Sequence, residues 1–254
     1  MRRIYDTSLD LLEKLGIGDV PDRLFADLLA IGAIDNGKGR VLFPPALVEQ
    51  AIDQAAKTFV LHGRDPDRSI EVGGNKVYFG TGGAAVQTLD MDSRVYRPST
   101  LQDLHDFTRL QDTLANVSWF TRCCVATDVV DIFDLDVNTV FALLKNTTKP
   151  TATSFTLAEH IPPIVEMLDI VAGGEGEFAK RPFMKAHISP MISPMRYGED
   201  AVDVVYGCIE HTIPISCITA AQAGATAPAT LAGFLAQSLA ETLASLLMVH
   251  AIQP

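Results

Sequence analysis

The segment IPISCITAAQAGATAPATLAGFLAQSLAETLASLLMV, residues 213–249, contains a strand pattern followed by a helix pattern. It opens with a short β-branched run, and a loop of small residues, Gln222–Pro228, comes next. The loop leads into a predicted helix over Leu231–Val249, where leucines recur at helical spacing along one stripe. Strand, loop and helix in this order make one βα unit.

The same succession recurs along the chain at intervals of roughly 30–34 residues, the size of one βα unit. The strand-like runs begin near Val117, Pro150, Phe183, Ile213 and Leu247. Helical patterns lie between them over 132–145, 161–171, 201–211 and 231–249. Alternating strands and helices favour an α/β fold with a parallel sheet, either open or closed into a (β/α)8 TIM barrel.

We therefore expect residues 117–254 to form the first half of a TIM barrel, with four βα units and the start of a fifth strand near Leu247. An eight-unit barrel takes roughly 250 residues by itself. The barrel is accordingly expected to be incomplete, and the 254 residues to be a partial chain.

Residues 1–116 are predicted to form an N-terminal extension of helices and β-hairpins. Helical patterns occur over 7–15 and 22–31, and a further helix starts at the Pro44–Pro45 pair. Short strand candidates follow, and Thr100 with Asp103 three residues later predicts the capped start of another helix.

Composition excludes several classes of protein. The net charge is −11, which argues against a nucleic-acid partner, because phosphate binding needs clustered lysine and arginine. No run of about 18 uncharged apolar residues appears, so no membrane span is expected, and the first residues do not resemble a signal peptide. The four cysteines lack metal-ligand spacing, so no metal site is expected. A cytoplasmic protein is the resulting prediction.

Candidate binding residues follow the predicted strands, because the carboxyl ends of parallel strands are where βα folds build sites. Gln222, Gly224 and Thr226 lie in the small-residue loop, where Thr226 is also a candidate helix cap. His187 and His250 are placed at strand ends, where a histidine either contacts a ligand or bonds to backbone.

Four segments of the chain together resemble the trimethylamine methyltransferase family of corrinoid-dependent methyltransferases. They are GRDPDRSIEVGGNKVYF, YRPSTLQDLHDFTRLQDTLANV, NTTKP and, most specifically, QAGATAPATLAGFLAQSLAETL. The resemblance covers nearly the whole chain. It implies a TIM barrel with an N-terminal helical extension, in a protein longer than this chain.

The resemblance also implies the reaction. Family members transfer a methyl group from trimethylamine, or from a quaternary amine such as glycine betaine, to a Co(I) corrinoid carried by a partner protein. No tightly bound cofactor is expected on this chain, and a homo-oligomer is expected. The pyrrolysine of the trimethylamine enzymes would lie beyond Pro254, and betaine-type members lack it. The implied setting is one-carbon metabolism, including methanogenesis.

A site for a methylated ammonium needs aromatic faces around the cation. Aromatic residues at or just past strand ends supply them, although ordinary core packing explains an aromatic residue equally well. No catalytic residue is assigned. The full set of candidate substrate-binding residues is Trp119, Phe155, His187, Tyr197, Gln222, Gly224, Thr226 and His250.

Two other functions stay open at this point. One is a binding or partner-docking member of the same family that has no turnover. The other is a TIM-barrel lyase or aldolase, for which Lys149 and Lys185 are the candidate Schiff-base lysines.

Overall fold

The structure is a computed structural model, and it describes every residue from Met1 to Pro254. The α-helices are α1 (Arg2–Asp10), α2 (Asp22–Ala30), α3 (Pro45–Gln54), α4 (Leu101–Asp112), α5 (Ile132–Asn146), α6 (Ile161–Ala172), α7 (Glu177–Lys180), α8 (Glu199–Glu210) and α9 (Leu231–Ile252). The β-strands are β1 (Ile17–Gly18), β2 (Ile34–Asp35), β3 (Arg40–Leu42), β4 (Thr58–Leu61), β5 (Ile70–Gly73), β6 (Phe79–Gly80), β7 (Gln87–Leu89), β8 (Tyr96–Pro98), β9 (Val117–Thr121), β10 (Thr151–Thr153), β11 (Met184–Ile188), β12 (Met191–Ile192), β13 (Arg196–Tyr197) and β14 (Ile215–Cys217).

Two compact units divide the chain. The first unit contains residues 1–55, 188–209 and 216–254, and the second contains residues 56–187 and 210–215. These units follow contacts in space. The expected domain boundary at residue 116 divides the chain in a different way and stays a prediction.

Five strands form one sheet in the order β6-β9-β10-β11-β14. The pairs β6–β9, β9–β10 and β10–β11 are parallel. The α/β fold with a parallel sheet is therefore confirmed, and four of its strands lie where the sequence places them. The fifth is β6, which the sequence analysis assigned to the N-terminal extension, so the sheet starts before residue 117.

The expected strand near Leu247 is wrong. Helix α9 continues without interruption from Leu231 to Ile252. No glycine or proline lies between Gly233 and Pro254, so nothing in that stretch breaks the helical backbone. The apolar run at 246–249 is the last part of the helix stripe, and short apolar runs do not distinguish a strand from a buried helix.

Register decides which side chains share a face of the parallel sheet. Ala152 of β10 pairs with Thr121 of β9 on one side and with Lys185 of β11 on the other. Side chains at paired positions point to the same face, and alternation along each strand adds Trp119 and His187 to that face.

The opposite face of the sheet carries the helices. Phe120, Met184 and Ala186 point to it and are at most 1% exposed. Helices α4, α5 and α6 connect successive neighbouring strands, and right-handed crossovers put such helices on one face. Because Trp119, Lys185 and His187 are only half-buried, they lie on the face turned away from the helices.

Helix α9 forms the core of the first unit, where it packs against α1, α2 and α3. Its 22 residues and mean hydropathy of 1.4 over 18 residues would also suit a membrane span. Half of that stretch is buried within the structure. The buried polar residues Gln237 and Glu241 lie on the packed side of α9.

Glu241 holds the segment that follows β12. Its carboxylate accepts hydrogen bonds from the Ser193 hydroxyl (2.7 Å), the Met195 backbone amide (3.0 Å) and the Gln237 side-chain amide (2.9 Å). Gln237 also donates to the carbonyl oxygen of Thr226 (2.8 Å). A buried carboxylate is stable only when its oxygens are bonded in this way. Glu241 and Gln237 therefore fix two loops of the first unit from one helix.

The sequence-predicted helix starts agree with the structure at two places. Thr100 and Asp103 form the complete capping box of α4. Pro45 occupies the first turn of α3.

Replacing Glu241 with Ala should lower the free energy of unfolding by about 3 kcal/mol or more, because three donors, two of them buried, lose a charged acceptor. Urea denaturation followed by circular dichroism measures this change. Thr242→Ala, at the exposed neighbouring position of the same helix, should change stability by no more than about 0.5 kcal/mol. Equal midpoints for the two variants would show that the Glu241 network contributes nothing to stability.

Replacing Gly80 with Ala should displace the indole of Trp119, because the new Cβ would lie 2.0 Å from Cε2 of that ring. Overpacking of this kind costs about 1–3 kcal/mol. Trp119 is the one tryptophan of the chain, so its fluorescence emission reports the displacement directly. Gly82→Ala is the matched control, since a Cβ there meets no atom within 4 Å. An unchanged emission maximum in the Gly80 variant would contradict the packing of the indole against β6.

Candidate functional site

Four side chains gather on the face of the parallel sheet that is turned away from the helices. Trp119, Thr121, Lys185 and His187 form what we call the strand-face cluster. The Lys185 ammonium lies 4.6 Å from the centroid of the Trp119 ring. The His187 ring approaches the same indole edge-on, with centroids 5.8 Å apart and planes at 70°. Strands β9 and β11 therefore bring an aromatic face, a cation and an imidazole into one place.

Gly80 makes room for the indole. It pairs with Trp119 across the β6–β9 ladder, at an irregularity in the register. Any side chain at position 80 would overlap the indole ring. The ring consequently lies along the backbone of β6, with the Lys185 ammonium over its face.

Burial sets the charge of the cluster. It lowers the pKa of Lys185 to about 8, because a buried ammonium loses hydration. Burial, and next the charge of Lys185, lower the pKa of His187 to about 4. At neutral pH the cluster therefore holds a mostly charged lysine beside a neutral imidazole.

Thr121 adds a hydroxyl that has no partner. Its backbone amide and carbonyl both bond to the Thr81 hydroxyl, at 2.8 and 2.7 Å. Its own Oγ1 is buried and makes no hydrogen bond in the structure. Buried hydroxyls are nearly always bonded, so Thr121 is an exception within the strand-face cluster.

A second polar network fixes the loop after β10. Asp136 of α5 accepts hydrogen bonds from the Thr156 amide (2.7 Å), the Thr156 hydroxyl (2.9 Å) and Nδ1 of His160 (2.8 Å). Phe155 lies in this loop and is 6% exposed, so it is held inside the structure. The network positions the carboxyl end of β10 from the helix before it.

The remaining candidate residues belong to the first unit. Tyr197 is buried, and its hydroxyl donates to the carbonyl oxygen of Ala244 (2.8 Å). Burial raises the pKa of this hydroxyl. That environment is typical of a core tyrosine. His250 lies in the last turn of α9 instead of at a strand end, and it lines a cavity of about 500 Å³ with Leu47 and Gln54 of α3.

The loop Gln222–Pro228 forms a compact turn. The carbonyl oxygen of Gln222 accepts three backbone amides, from Ala225, Thr226 and Ala227, and its own amide donates to the Thr226 hydroxyl (2.9 Å). Gly224 has φ +81°, which favours glycine. Thr226 is not the helix cap, because α9 begins at Leu231 and is capped by Thr230.

From different strands, the structure thus brings together two of the eight candidate residues, Trp119 and His187, and it adds Lys185 and Thr121. The alternation in FMKAHI places Lys185 two residues before His187 on the same face, and this signal identifies Lys185 from the sequence. Thr121 could not be identified from the sequence, because only the structure shows that its buried hydroxyl has no hydrogen-bond partner. The assignment of any of these residues to substrate binding stays a prediction.

The two lysines considered for Schiff-base chemistry differ in their surroundings. The Lys149 ammonium donates to the carbonyl oxygens of Gln111 (2.9 Å) and Leu114 (2.8 Å), so it supports the end of α4. Lys185 belongs to the strand-face cluster.

Comparison with known proteins gives a family and several sequence relatives. The family described as trimethylamine methyltransferase (MTTB) matches the chain over residues 1–254. The trimethylamine methyltransferase MttB of Desulfitobacterium hafniense strain DCB-2 is 28% identical over 224 residues, which are 88% of this chain and 45% of that protein. The glycine betaine methyltransferase of strain Y51 is 25% identical over 254 residues, which are 100% of this chain and 52% of that protein.

A third relative is also named a trimethylamine methyltransferase. The trimethylamine methyltransferase MttB1 of Methanosarcina mazei is 28% identical over 199 residues, or 74% of this chain and 39% of that protein. The chain therefore spans about half the length of the curated relatives that it matches. Because the family match extends over every residue of the chain, we conclude that this protein belongs to the trimethylamine methyltransferase family.

Proposed function

We propose that this chain is part of a methyltransferase that moves a methyl group from a methylated amine to the Co(I) corrinoid of a partner protein. The donor is trimethylamine or a quaternary amine such as glycine betaine. The observation that carries the proposal is the family match over all 254 residues. Similarity to relatives named for both donors supports this pair of substrates.

The fold supports the proposal. The five strands lie side by side in the order in which they follow along the chain, with helices between them. This is the arrangement of part of a βα barrel. We propose that the complete protein closes this sheet into a (β/α)8 barrel with three further units. In such a barrel the face turned away from the helices becomes the interior, and the strand-face cluster would line it.

The cluster suits the task of binding a small donor. The corrinoid of the partner supplies the cobalt nucleophile that accepts the methyl group. This chain has to bind the amine, orient one methyl group outward and exclude water from the remainder. Trp119 gives a rigid apolar wall, and His187 and Thr121 give polar groups on the same wall.

Methyl transfer from trimethylamine or glycine betaine to the partner corrinoid should be measurable with the complete protein and a reduced corrinoid protein. The conversion of Co(I) to methyl-Co(III) is followed by visible absorbance. Trp119→Ala should lower kcat/KM about tenfold, as expected for loss of one aromatic contact of about 1–2 kcal/mol. Trp119→Phe keeps an aromatic face and should retain most of the activity.

Two results would contradict the proposal. The first is the absence of methyl transfer from both donors when the corrinoid protein is fully reduced and the methyltransferase is folded. The second concerns the site alone: full activity of Trp119→Ala would show that the donor binds outside the strand-face cluster.

A further inference from the structure

We propose that Cys123 and Cys124 form a redox modification site, at which a peroxide converts the two neighbouring thiols into a vicinal disulfide and a dithiol reductant reopens it. The inference goes beyond the proposed function, because it assigns chemistry to two residues that methyl transfer does not use. Both residues lie in the second unit, just after the end of β9.

The two cysteines differ in exposure. Cys123 is half-buried, whereas Cys124 is 1% exposed, and both are free thiols. Redox-sensitive cysteines combine an accessible thiol with a second, resolving cysteine close by. A small oxidant therefore reaches Cys123 first, and Cys124 is the covered partner beside it.

The two thiols also interact with each other. The hydrogen bond from Cys124 lowers the pKa of the Cys123 thiol, although burial opposes this effect. The same hydrogen bond, and next burial, raise the pKa of Cys124. Because the thiolate is the reactive form of cysteine, Cys123 is the nucleophile of the pair.

The surroundings favour oxidation over metal binding. No group of three or more histidine, cysteine, aspartate or glutamate side chains in the chain is arranged to hold a metal ion. The other two cysteines, Cys208 and Cys217, belong to the first unit. A closed metal site needs more ligands than two thiols, whereas a disulfide needs only the pair itself and an oxidant.

The backbone explains why the disulfide would be reversible. The peptide bond between Cys123 and Cys124 is trans, so their Cα atoms are about 3.8 Å apart. Disulfides usually join Cα atoms roughly 4.4–6.8 Å apart, and a bond closed over a different separation is strained. Strain makes a disulfide easier to reduce, which is typical of regulatory disulfides and not of structural ones.

Closing the ring also affects the neighbouring chain segment. Cys124 forms a parallel bridge with Ala85. The Ala85 amide donates to the carbonyl oxygen of Cys123 (3.1 Å), and the Val125 amide donates to the carbonyl oxygen of Ala85 (2.9 Å). A ring over residues 123 and 124 twists the peptide that lies between these two hydrogen bonds. We therefore expect the disulfide to weaken at least one of them.

The reaction balances with one molecule of peroxide. The Cys123 thiolate attacks one peroxide oxygen, the O–O bond breaks, and the departing hydroxide takes a proton to become water, which leaves a sulfenic acid on Cys123. The Cys124 sulfur then loses its proton and attacks the Cys123 sulfur. The S–S bond forms, the S–O bond breaks, and a second water leaves. The two thiols are oxidised by two electrons, and the peroxide is reduced to two water molecules.

Peptide mapping of the complete protein tests the proposal. Trypsin releases residues 123–145 as one peptide, which contains both cysteines and no others. After treatment with hydrogen peroxide and then with a maleimide, most of this peptide should carry no maleimide and should have lost the mass of two hydrogen atoms. Treatment with dithiothreitol should restore both maleimide-reactive thiols.

Variants separate the roles of the two residues. Cys124→Ala removes the resolving thiol, so peroxide should leave a sulfenic acid on Cys123 that dimedone traps. Cys123→Ala should leave the Cys124 thiol unoxidised under the same treatment. Cys217→Ala replaces a half-buried cysteine of the first unit and is the matched control, in which peptide 123–145 should form the disulfide as in the unchanged protein.

Amide hydrogen exchange followed by NMR measures the effect on the backbone. The Ala85 or the Val125 amide should exchange about fivefold faster in the disulfide form, as expected for loss of one hydrogen bond. The Phe120 amide, which donates to the carbonyl oxygen of Pro150 (2.9 Å), should not change. Equal exchange rates for Ala85 and for Val125 in the two forms would contradict the strained ring.

Three results of the mapping would overturn the inference. They are an unchanged peptide 123–145 after peroxide treatment, a sulfinic or sulfonic acid on Cys123 beside a free Cys124 thiol, and a disulfide from either residue to any other cysteine. A disulfide that dithiothreitol does not reopen would overturn it as well. None of these measurements uses methyl transfer, so their outcome is independent of the proposed function.

Discussion

The pairing of β9, β10 and β11 in one parallel register is the constraint on which the candidate site depends. Each strand alternates its side chains between two faces, so a shift of one residue in β11 would send Lys185 and His187 toward the helices. The buried Met184 and Ala186 of β11 prevent that shift, because they would then leave the core. Core packing on one face of the sheet thus determines which polar groups meet on the other.

Carboxylates hold the connections that surround this framework. Asp103 is bound by Arg97 and caps α4, and its hydrogen bonds with Arg97 hold the pKa of this carboxyl at about 2. Asp136 fixes the loop after β10, and Glu241 fixes the loop after β12. Each of these carboxylates accepts several hydrogen bonds, so part of the chain's negative charge stabilises the tertiary structure. The cluster in the parallel sheet is different, because its charged group is a lysine.

The sequence predicts the periodic parts of the molecule well. Four strands of the parallel sheet and the helices between them follow from alternating patterns, and the capping box of α4 follows from Thr100 and Asp103. Prediction from the sequence fails where the local pattern is ambiguous. The apolar run at Leu247 is compatible with a strand or a helix, and β6 has only two residues. The contact between Trp119 of β9 and His187 of β11 could not be predicted, because it depends on strand register and not on spacing along the chain.

Membership of the family indicates the kind of chemistry, and the strand-face cluster is the donor site that we propose. The proposed donor site depends on Lys185 lying over Trp119 on one face of the sheet. A pH titration of Trp119 fluorescence tests that arrangement most directly, because loss of the ammonium charge beside the indole changes its emission. The account predicts an inflection near pH 8 that disappears in Lys185→Met. An emission maximum that stays constant from about pH 6 to 10, or an identical inflection in the variant, would contradict it.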